Sequence, residues 1–285
     1  MSHNSEMEIE RVVMEVLREN GIKALPVDVH SIASNSGITV VEKDVGREGV
    51  SGMLISHANQ YVIAYNSAIK NSGFQRFCIG HELGHYFLPG HIDALLSDDV
   101  PVHQSGVSYD RYEKSADSFS ARLLMPKPLV AKRLKNAELR VSVVEHLAEQ
   151  CDVSLEAAAL RVMDLTSEAV AVARVQNGVI EYCRMSTSFK QLKGLTWIRG
   201  GSKAPVSSHT ADLSIDEEFV ITGGQFEGDS CLSIWFSAEY ERPLKESVIG
   251  LGEYGKCLVL LQCDEEDEQE AIEDMEERRA EGVKW

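Results

Sequence analysis

The sequence predicts an α+β protein with a small sheet and helices in its first part, a helical middle segment and a β-rich last part. Three observations carry this prediction. Residues 8–19 show the apolar spacing of an amphipathic helix, short alternating segments follow within residues 38–65, and strand and turn patterns return after residue 167. With 285 residues and 44% hydrophobic content, the chain can bury more than one core.

The first half of the chain divides into helices and strands at recognisable stops. The helix over residues 8–19 ends at Asn20-Gly21, and a short helix, Val27–Ser34, follows Pro26. Strands are expected at Ile38–Glu42, Val50–Ser56 and Tyr61–Tyr65. The next helices are Phe74–Leu88, stopped by Pro89-Gly90, and Tyr109–Met125, closed by Pro126. Residues 91–108 have no period and are expected to form a loop.

The second half changes from helical to β-rich composition. A helical block covers residues 128–165, with breaks near Arg140 and at Cys151–Val153, and Ser154 is suited to cap the last helix. A hairpin is expected over Val170–Met185, around Asn177-Gly178. Further strands are expected at Phe219–Thr222, Cys231–Phe236 and Lys256–Cys263. The predicted parts are a first domain over 1–125, a helical segment over 126–167, a β-rich domain over 168–263 and an acidic tail over 264–285.

Composition excludes several classes of protein. No run reaches about 18 uncharged apolar residues, so we expect no membrane span, and the N-terminus lacks the pattern of a signal peptide. The six cysteines are scattered and form no CxxC pair, which indicates a reducing compartment, the cytoplasm. The net charge of −17 argues against nucleic-acid binding through the whole surface. Residues 264–285 hold 11 acidic side chains against three basic ones, as expected for a solvated tail.

The strongest chemical signal is the motif His81-Glu82-Leu83-Gly84-His85, which falls on a predicted helix. Residues four apart share one helical face, so both imidazoles can bind one Zn²⁺. Glu82 lies one residue further around the helix, where it can act as a general base and then as a proton donor.

A catalytic zinc needs a third protein ligand, and the sequence offers two. His91 has the spacing of a third metzincin histidine, but Leu88 stands where that pattern needs glycine. A left-handed backbone is costly for leucine, which argues against the turn at Leu88 that would bring His91 back to the metal. Glu113 on the next helix is favoured, and His91 stays the alternative. Asp117, one turn after Glu113, is placed to accept a hydrogen bond from a ligand imidazole. For a second metal site, His103 and His209 have no partner at useful spacing.

Two segments together resemble the ImmA/IrrE family of zinc metallopeptidases. They are RFCIGHELGHYFLPGH and YEKSADSFSARLLMP, and the second is similar to the family pattern E-x-x-A-D-x-F-A-x-x-L-L-M-P, with Ser120 where alanine is usual. The resemblance covers residues 8–165. It implies a minimal gluzincin-like fold, His81, His85 and Glu113 as ligands and Glu82 as the catalyst. Zn²⁺ is the expected ion, although such ligands also accept Mn²⁺, Fe²⁺ or Co²⁺.

The same resemblance implies a partner. Members of that family cleave helix-turn-helix repressors in stress or mobile-element responses, so a protein substrate of this class is expected. The segment LAEQCDVSLEAAALRVMDL resembles the helix-turn-helix-like part of the family, but Arg161 is its only basic residue, which argues against DNA binding. The last part is long enough for a sensor domain. The alternative function is a non-proteolytic, zinc-stabilised protein that sequesters its partner, in the manner of an antitoxin or an anti-repressor.

Overall fold

The computed structural model divides into two compact units, residues 1–158 and 159–285. It describes residues 3–44, 46, 50–58, 60–96, 102–104, 111–134, 139–238 and 242–263. The acidic tail over 264–285 lies outside this described part of the chain. The predicted boundaries at residues 125 and 167 stay predictions. In the described ranges, no helix has both the length and the apolar character that a bilayer crossing requires.

The first unit combines one small sheet with seven helices in the residues that the structure describes. The strands are β1 (Ile38–Lys43), β2 (Gly52–His57), β3 (Gln60–Asn66) and β4 (Val102–Gln104). The helices are α1 (His3–Glu19), α2 (Val29–Asn35), α3 (Ser72–Phe87), α4 (His91–Leu95), α5 (Arg111–Leu124), α6 (Lys127–Leu134) and α7 (Val141–Cys151). The sheet has the order β1-β3-β2-β4, in which only β1 and β3 run parallel. Strand β4 therefore lies at one edge.

The apolar pattern of the first helix is confirmed by burial. One face of α1 enters the core of the first unit with the side chains of Ile9, Val12, Val13, Val16 and Leu17. Local capping fixes where the next helices begin. The Asp28 carboxylate accepts hydrogen bonds from two backbone amides at the start of α2, and the Asn71 side chain accepts one from Phe74 N at 2.8 Å.

The predicted loop over residues 91–108 was wrong in two places. It contains the five-residue helix α4 and the three-residue strand β4. Elements this short do not complete an apolar period, so the sequence pattern does not reveal them. Strand β4 forms because its residues pair with β2, with His103 opposite Leu54.

The second unit is built on a five-stranded antiparallel sheet. Its strands are β5 (Val170–Gln176), β6 (Val179–Met185), β7 (Gln225–Cys231), β8 (Pro243–Gly250) and β9 (Cys257–Cys263). Their order is β6-β5-β9-β8-β7. The predicted hairpin is confirmed, because β5 and β6 flank Asn177 and Gly178, whose φ angles are 49° and 73°. Helix α8 (Leu155–Leu165) spans the division between the units, and Ser154 caps it through Ala157 N at 3.1 Å.

Two strands predicted in the second unit were wrong. Phe219–Thr222 falls on helix α11 (Glu217–Ile221), and Cys231–Phe236 is mostly helix α12 (Leu232–Phe236). Asp216 caps α11 through Phe219 N, a helix start that the apolar residues after it conceal. The remaining short helices of this unit are α9 (Thr187–Gln191) and α10 (His209–Leu213).

A buried carboxylate connects two of these helices to the second sheet. Glu246 on β8 is fully buried and accepts hydrogen bonds from Thr210 N and Thr210 Oγ1, both at 2.7 Å. It also accepts one from Trp235 Nε1 at 3.0 Å. These three donors offset the cost of burying the carboxylate, so Glu246 holds α10 and α12 against β8.

Candidate metal centre

Helix α3 presents the residues of the HELGH motif to the interior of the first unit. His81, Glu82 and His85 are all buried on this helix. Histidines at positions i and i+4 lie one above the other on a helix, and their Nε2 atoms are 3.0 Å apart. The predicted helix therefore brings both imidazoles to one point.

Helix α5 packs closely against α3 because small residues line both helices at the crossing. A β-carbon built on Gly84 would lie 3.0 Å from Ala116 Cα, and one on Gly80 would lie 2.5 Å from Ser120 Oγ. The Ser120 hydroxyl donates a hydrogen bond to Phe77 O at 2.8 Å. This close approach carries the first turn of α5, with Glu113, up to the two histidines.

Glu113 completes a three-residue cluster. Glu113 Oε1 lies 3.1 Å from His85 Nε2, and Glu113 Oε2 lies 3.4 Å from His81 Nε2. Ligands bound tetrahedrally to zinc at about 2.0–2.1 Å are separated by roughly 3.3 Å, which these distances match. Among the described residues, His81, His85 and Glu113 are the group able to hold a metal ion, and all three are buried. The donor set therefore fits a divalent metal.

The surroundings of the cluster keep Glu113 ionised and shift the pKa values of the two histidines in opposite directions. Burial opposes the charge of Glu113, but hydrogen bonds from His103, His81 and His85 outweigh it and hold the pKa of this carboxyl far below its usual range. Burial also opposes the charge of His81, but hydrogen bonds to Asp117 and Glu113 raise its pKa to about 9. Burial lowers the pKa of His85, and the neighbouring charges of His81 and His103 add to that effect.

Each residue of the cluster also has a partner outside it. His81 Nδ1 donates to Asp117 Oδ1 at 2.9 Å, where Asp117 was expected. His85 Nδ1 shares a hydrogen bond with His91 Nδ1 at 3.1 Å. His103 Nε2 donates to Glu113 Oε1 at 2.9 Å. Such outer contacts fix the ring orientation of metal ligands.

His91 contacts His85 on the side of the ring that faces away from His81 and Glu113. The chain turns at Gly90, whose φ is 74°, and not at Leu88, which keeps an extended backbone. His91 then contacts the Nδ1 atom of His85, whereas the Nε2 atom of His85 faces His81 and Glu113. This position suits an orienting partner of His85 better than a ligand.

Sequence reasoning missed His103. It was considered only for a second site, yet it contacts Glu113 and its ring centroid lies 4.5 Å from that of His85. The contact depends on the pairing of β4 with β2, which sequence spacing does not encode. His209 lies in the second unit, where its ring packs on Phe226.

Cys78 lies one helical turn before Glu82 but does not add a reactive group. Burial, together with the charges of Glu82 and Asp117, raises the pKa of this thiol to about 12. The side chain therefore stays protonated at neutral pH, when it is a weak nucleophile.

Glu82 is confined by a glycine on β2. A β-carbon built on Gly52 would lie 2.7 Å from Glu82 Oε1. Because Glu82 is fully buried, it has little room to move away from an added methyl group.

Replacing Gly52 with alanine should therefore slow any reaction that uses Glu82 as a base, without weakening metal binding. The methyl group displaces the Glu82 carboxylate, while His81, His85 and Glu113 keep their places. We expect a loss of roughly 100-fold in the rate of such a reaction, comparable with losing general base catalysis. Steady-state kinetics and zinc titration of the variant measure the two effects separately, and equal losses in both would contradict this role for Gly52.

Comparison with known proteins assigns this part of the chain. Residues 33–163 match the model of the IrrE N-terminal-like domain of peptidase family M78. This part of the chain is therefore an IrrE N-terminal-like domain. The domain contains the whole candidate centre, and the resemblance noted in the sequence is confirmed.

Individual relatives of the ImmA/IrrE domain agree with this assignment. The radiation response metalloprotease IrrE of Deinococcus radiodurans is 31% identical over 112 residues, which are 39% of this chain and 34% of that protein. The metallopeptidase ImmA of Bacillus subtilis is 27% identical over 129 residues, which are 44% of this chain and 68% of that protein. The chain thus matches about a third of the length of IrrE.

A solved structure extends the likeness in fold beyond the ImmA/IrrE domain. A Mycobacterium tuberculosis transcriptional regulator aligns with a TM-score of 0.58, covering 93% of this chain and 77% of that one. The two are 18% identical, so the likeness concerns the fold alone. The α+β fold predicted from the sequence is confirmed.

Proposed function

We propose that the protein is a metal-dependent regulatory endopeptidase that cuts a protein partner. The observation that carries this proposal is the buried cluster of His81, His85 and Glu113, with Glu82 on the same helix as the two histidines. A site that only stabilises the fold has no use for a carboxylate held beside its ligands. Two relatives, one named a metalloprotease and the other a metallopeptidase, add support.

Each residue of the centre has a role in this mechanism. His81, His85 and Glu113 would hold the ion, which when bound would supply Lewis acidity at the scissile carbonyl and lower the pKa of the attacking water. Glu82 would take a proton from the attacking water and then deliver it to the leaving amine nitrogen. Asp117 accepts the hydrogen bond from His81 Nδ1, which leaves the opposite ring nitrogen, Nε2, directed at His85 and Glu113 and available as the donor that would bind the ion.

We propose Zn²⁺ as the ion in the cell. Two imidazoles and one carboxylate form a site of the type found in zinc peptidases, and Mn²⁺, Fe²⁺ and Co²⁺ also fit these ligands. The cytoplasm is the proposed compartment. Cys78, Cys183, Cys231 and Cys257 are free thiols, which suits a reducing environment.

The proposed substrate is a helix-turn-helix transcriptional repressor, cut in a stress or mobile-element response. This substrate class rests on the family of the domain. Direct DNA binding by the protein is not part of the proposal, because Arg161, the basic residue of α8, is buried. A helix without exposed basic side chains offers nothing to phosphates.

Replacing Glu82 with glutamine should abolish cleavage of the partner. The amide keeps the shape of the side chain but cannot take up the proton, so we expect the rate to fall by about 100-fold or more. The measurement is a comparison of new protein N-termini in host cells that express the wild type or Glu82→Gln at matched levels, before and after stress. A cut seen only with the wild type would identify the substrate and the bond.

The exposed Glu149 on α7 provides the matched control, since Glu149→Gln makes the same chemical change away from the centre. This variant should cut like the wild type. If no cut depended on Glu82, and Glu82→Gln still bound its partner and switched the response, the sequestration function would replace the proposed one.

A further inference from the structure

The edge strand β4 brings a histidine to the candidate centre that no motif includes. His103 pairs with Leu54 of β2 in the middle of this three-residue strand. Its side chain is 12% exposed and points to Glu113, which lies on α5. His103, at the edge of the sheet, is thus connected to Glu113 on α5, which packs against α3.

The contact of His103 with Glu113 has a defined direction. An ionised carboxylate only accepts hydrogen bonds, so His103 Nε2 must carry the donated hydrogen in the 2.9 Å contact with Glu113 Oε1. The ring centroid of His103 lies 4.5 Å from that of His85, at 61°. His103 therefore packs against one member of the cluster and holds the carboxylate of another.

The position of Glu113 explains why such a contact matters. Glu113 lies in the first turn of α5, and its side chain must span the gap to His81 and His85. Its carboxylate can rotate about the last side-chain torsion, which has broad energy wells. A hydrogen bond to Oε1 restricts that rotation and keeps Oε2 directed at His81, 3.4 Å from Nε2.

We propose that His103 is a positioning residue that fixes the Glu113 carboxylate for metal binding, so that strand β4 sets the metal affinity of the centre. His103 acts through Glu113 and is not itself a ligand, since it lies outside the cluster of His81, His85 and Glu113. The inference rests on the proposed function only in taking these three residues as metal ligands.

The test measures zinc affinity in the full-length protein, starting from the metal-free form. We compare the wild type with His103→Ala, His103→Gln and Gln104→Ala, using competition with a chromophoric chelator. His103→Ala should raise the Kd for Zn²⁺ by about 10- to 100-fold, the usual cost of losing an outer hydrogen bond. His103→Gln should restore most of the affinity, because its amide can donate to Oε1. Gln104→Ala alters an exposed residue of the same strand and should change nothing.

Cobalt spectra separate positioning from direct ligation. Co²⁺ bound to His103→Ala at saturation should give the same absorption bands as the wild type, because the ligands are unchanged. A changed spectrum together with failure of His103→Gln would make His103 a ligand and overturn the proposal. Unchanged zinc affinity in His103→Ala would also overturn the proposal. If that variant does not fold, His103→Leu keeps the apolar volume without a donor and must show the same weakening.

The outcome is independent of the proteolytic reaction. Zinc affinity can depend on His103 even if no Glu82-dependent cut is found, in which case the positioning role stands and the peptidase function fails. The reverse result, a Glu82-dependent cut with zinc affinity indifferent to His103, would remove only the inference about β4.

Discussion

Replacing Glu113 with alanine should weaken zinc binding by roughly 100- to 1,000-fold, the largest effect expected at the centre. Structural zinc sites bind with about 10–16 kcal/mol shared among four ligands, so one ligand corresponds to about 2.5–4 kcal/mol. The loss is increased by the surroundings, because His81, His85 and His103 all direct ring nitrogens at this carboxylate. Without it, three imidazoles face one another with no anion between them.

Competition titration of the metal-free protein measures this effect, and thermal unfolding supplies a second readout. Zinc stabilises the folded protein by an amount that grows with the logarithm of its affinity, so the rise in Tm on adding zinc should shrink in Glu113→Ala. The comparison variant is His91→Ala, which removes the partner of His85 Nδ1 and should weaken binding by only about 10- to 100-fold. A larger loss from His91→Ala than from Glu113→Ala would make His91 the third ligand.

Replacing Gly84 with alanine should both destabilise the first unit and weaken the metal centre. The added β-carbon would meet Ala116 Cα at 3.0 Å and Ala116 O at 3.2 Å, which are backbone atoms that cannot move alone. Overpacking costs about 1–3 kcal/mol, and the better helix propensity of alanine returns about 1 kcal/mol. We expect a net loss of up to about 2 kcal/mol in the free energy of unfolding. Zinc affinity should also fall, because the added methyl group pushes α5, and Glu113 with it, away from α3.

Gly80 provides a contrast at the same helix crossing. A β-carbon there would meet Ser120 Oγ at 2.5 Å, and the next nearest atom is Ser120 Cβ at 3.3 Å. Ser120→Ala should therefore relieve much of the damage of Gly80→Ala, and a double-mutant cycle by urea unfolding measures this coupling. No such relief is available for Gly84→Ala. Wild-type stability and zinc affinity in Gly84→Ala would show that α3 and α5 can accommodate a β-carbon at residue 84, and would contradict this prediction.

The sequence could predict the two helices that carry the candidate residues, because helical geometry is local. His81 and His85 are four residues apart on α3, and Glu113 and Asp117 are four apart on α5, so each pair shares a face. Only the meeting of the two helices had to be inferred. That Glu113 and Asp117 lie beside the histidines is a geometric finding, and their roles stay predictions.

The parts that the sequence did not predict depend on contacts between distant residues. His103 reaches Glu113 because β4 pairs with β2, and a three-residue strand has no pattern of its own. Strand β7 was missed because it is an edge strand with polar residues and a glycine, so few apolar side chains mark it. Helix α12 was misread because its apolar residues lie together in sequence, although Leu232, Trp235 and Phe236 are buried at helical spacing.

The position of β9 has a consequence for the order in which the chain matures on the ribosome. Strand β9 is the last described strand, yet it lies in the middle of its sheet, between β5 and β8. During synthesis, β5 therefore cannot pair with its inner neighbour, β9, until residues 257–263 have left the ribosome. The residues of the candidate centre are all present by Asp117. Since domains fold as they emerge, the centre can take up its metal while the second sheet is still divided.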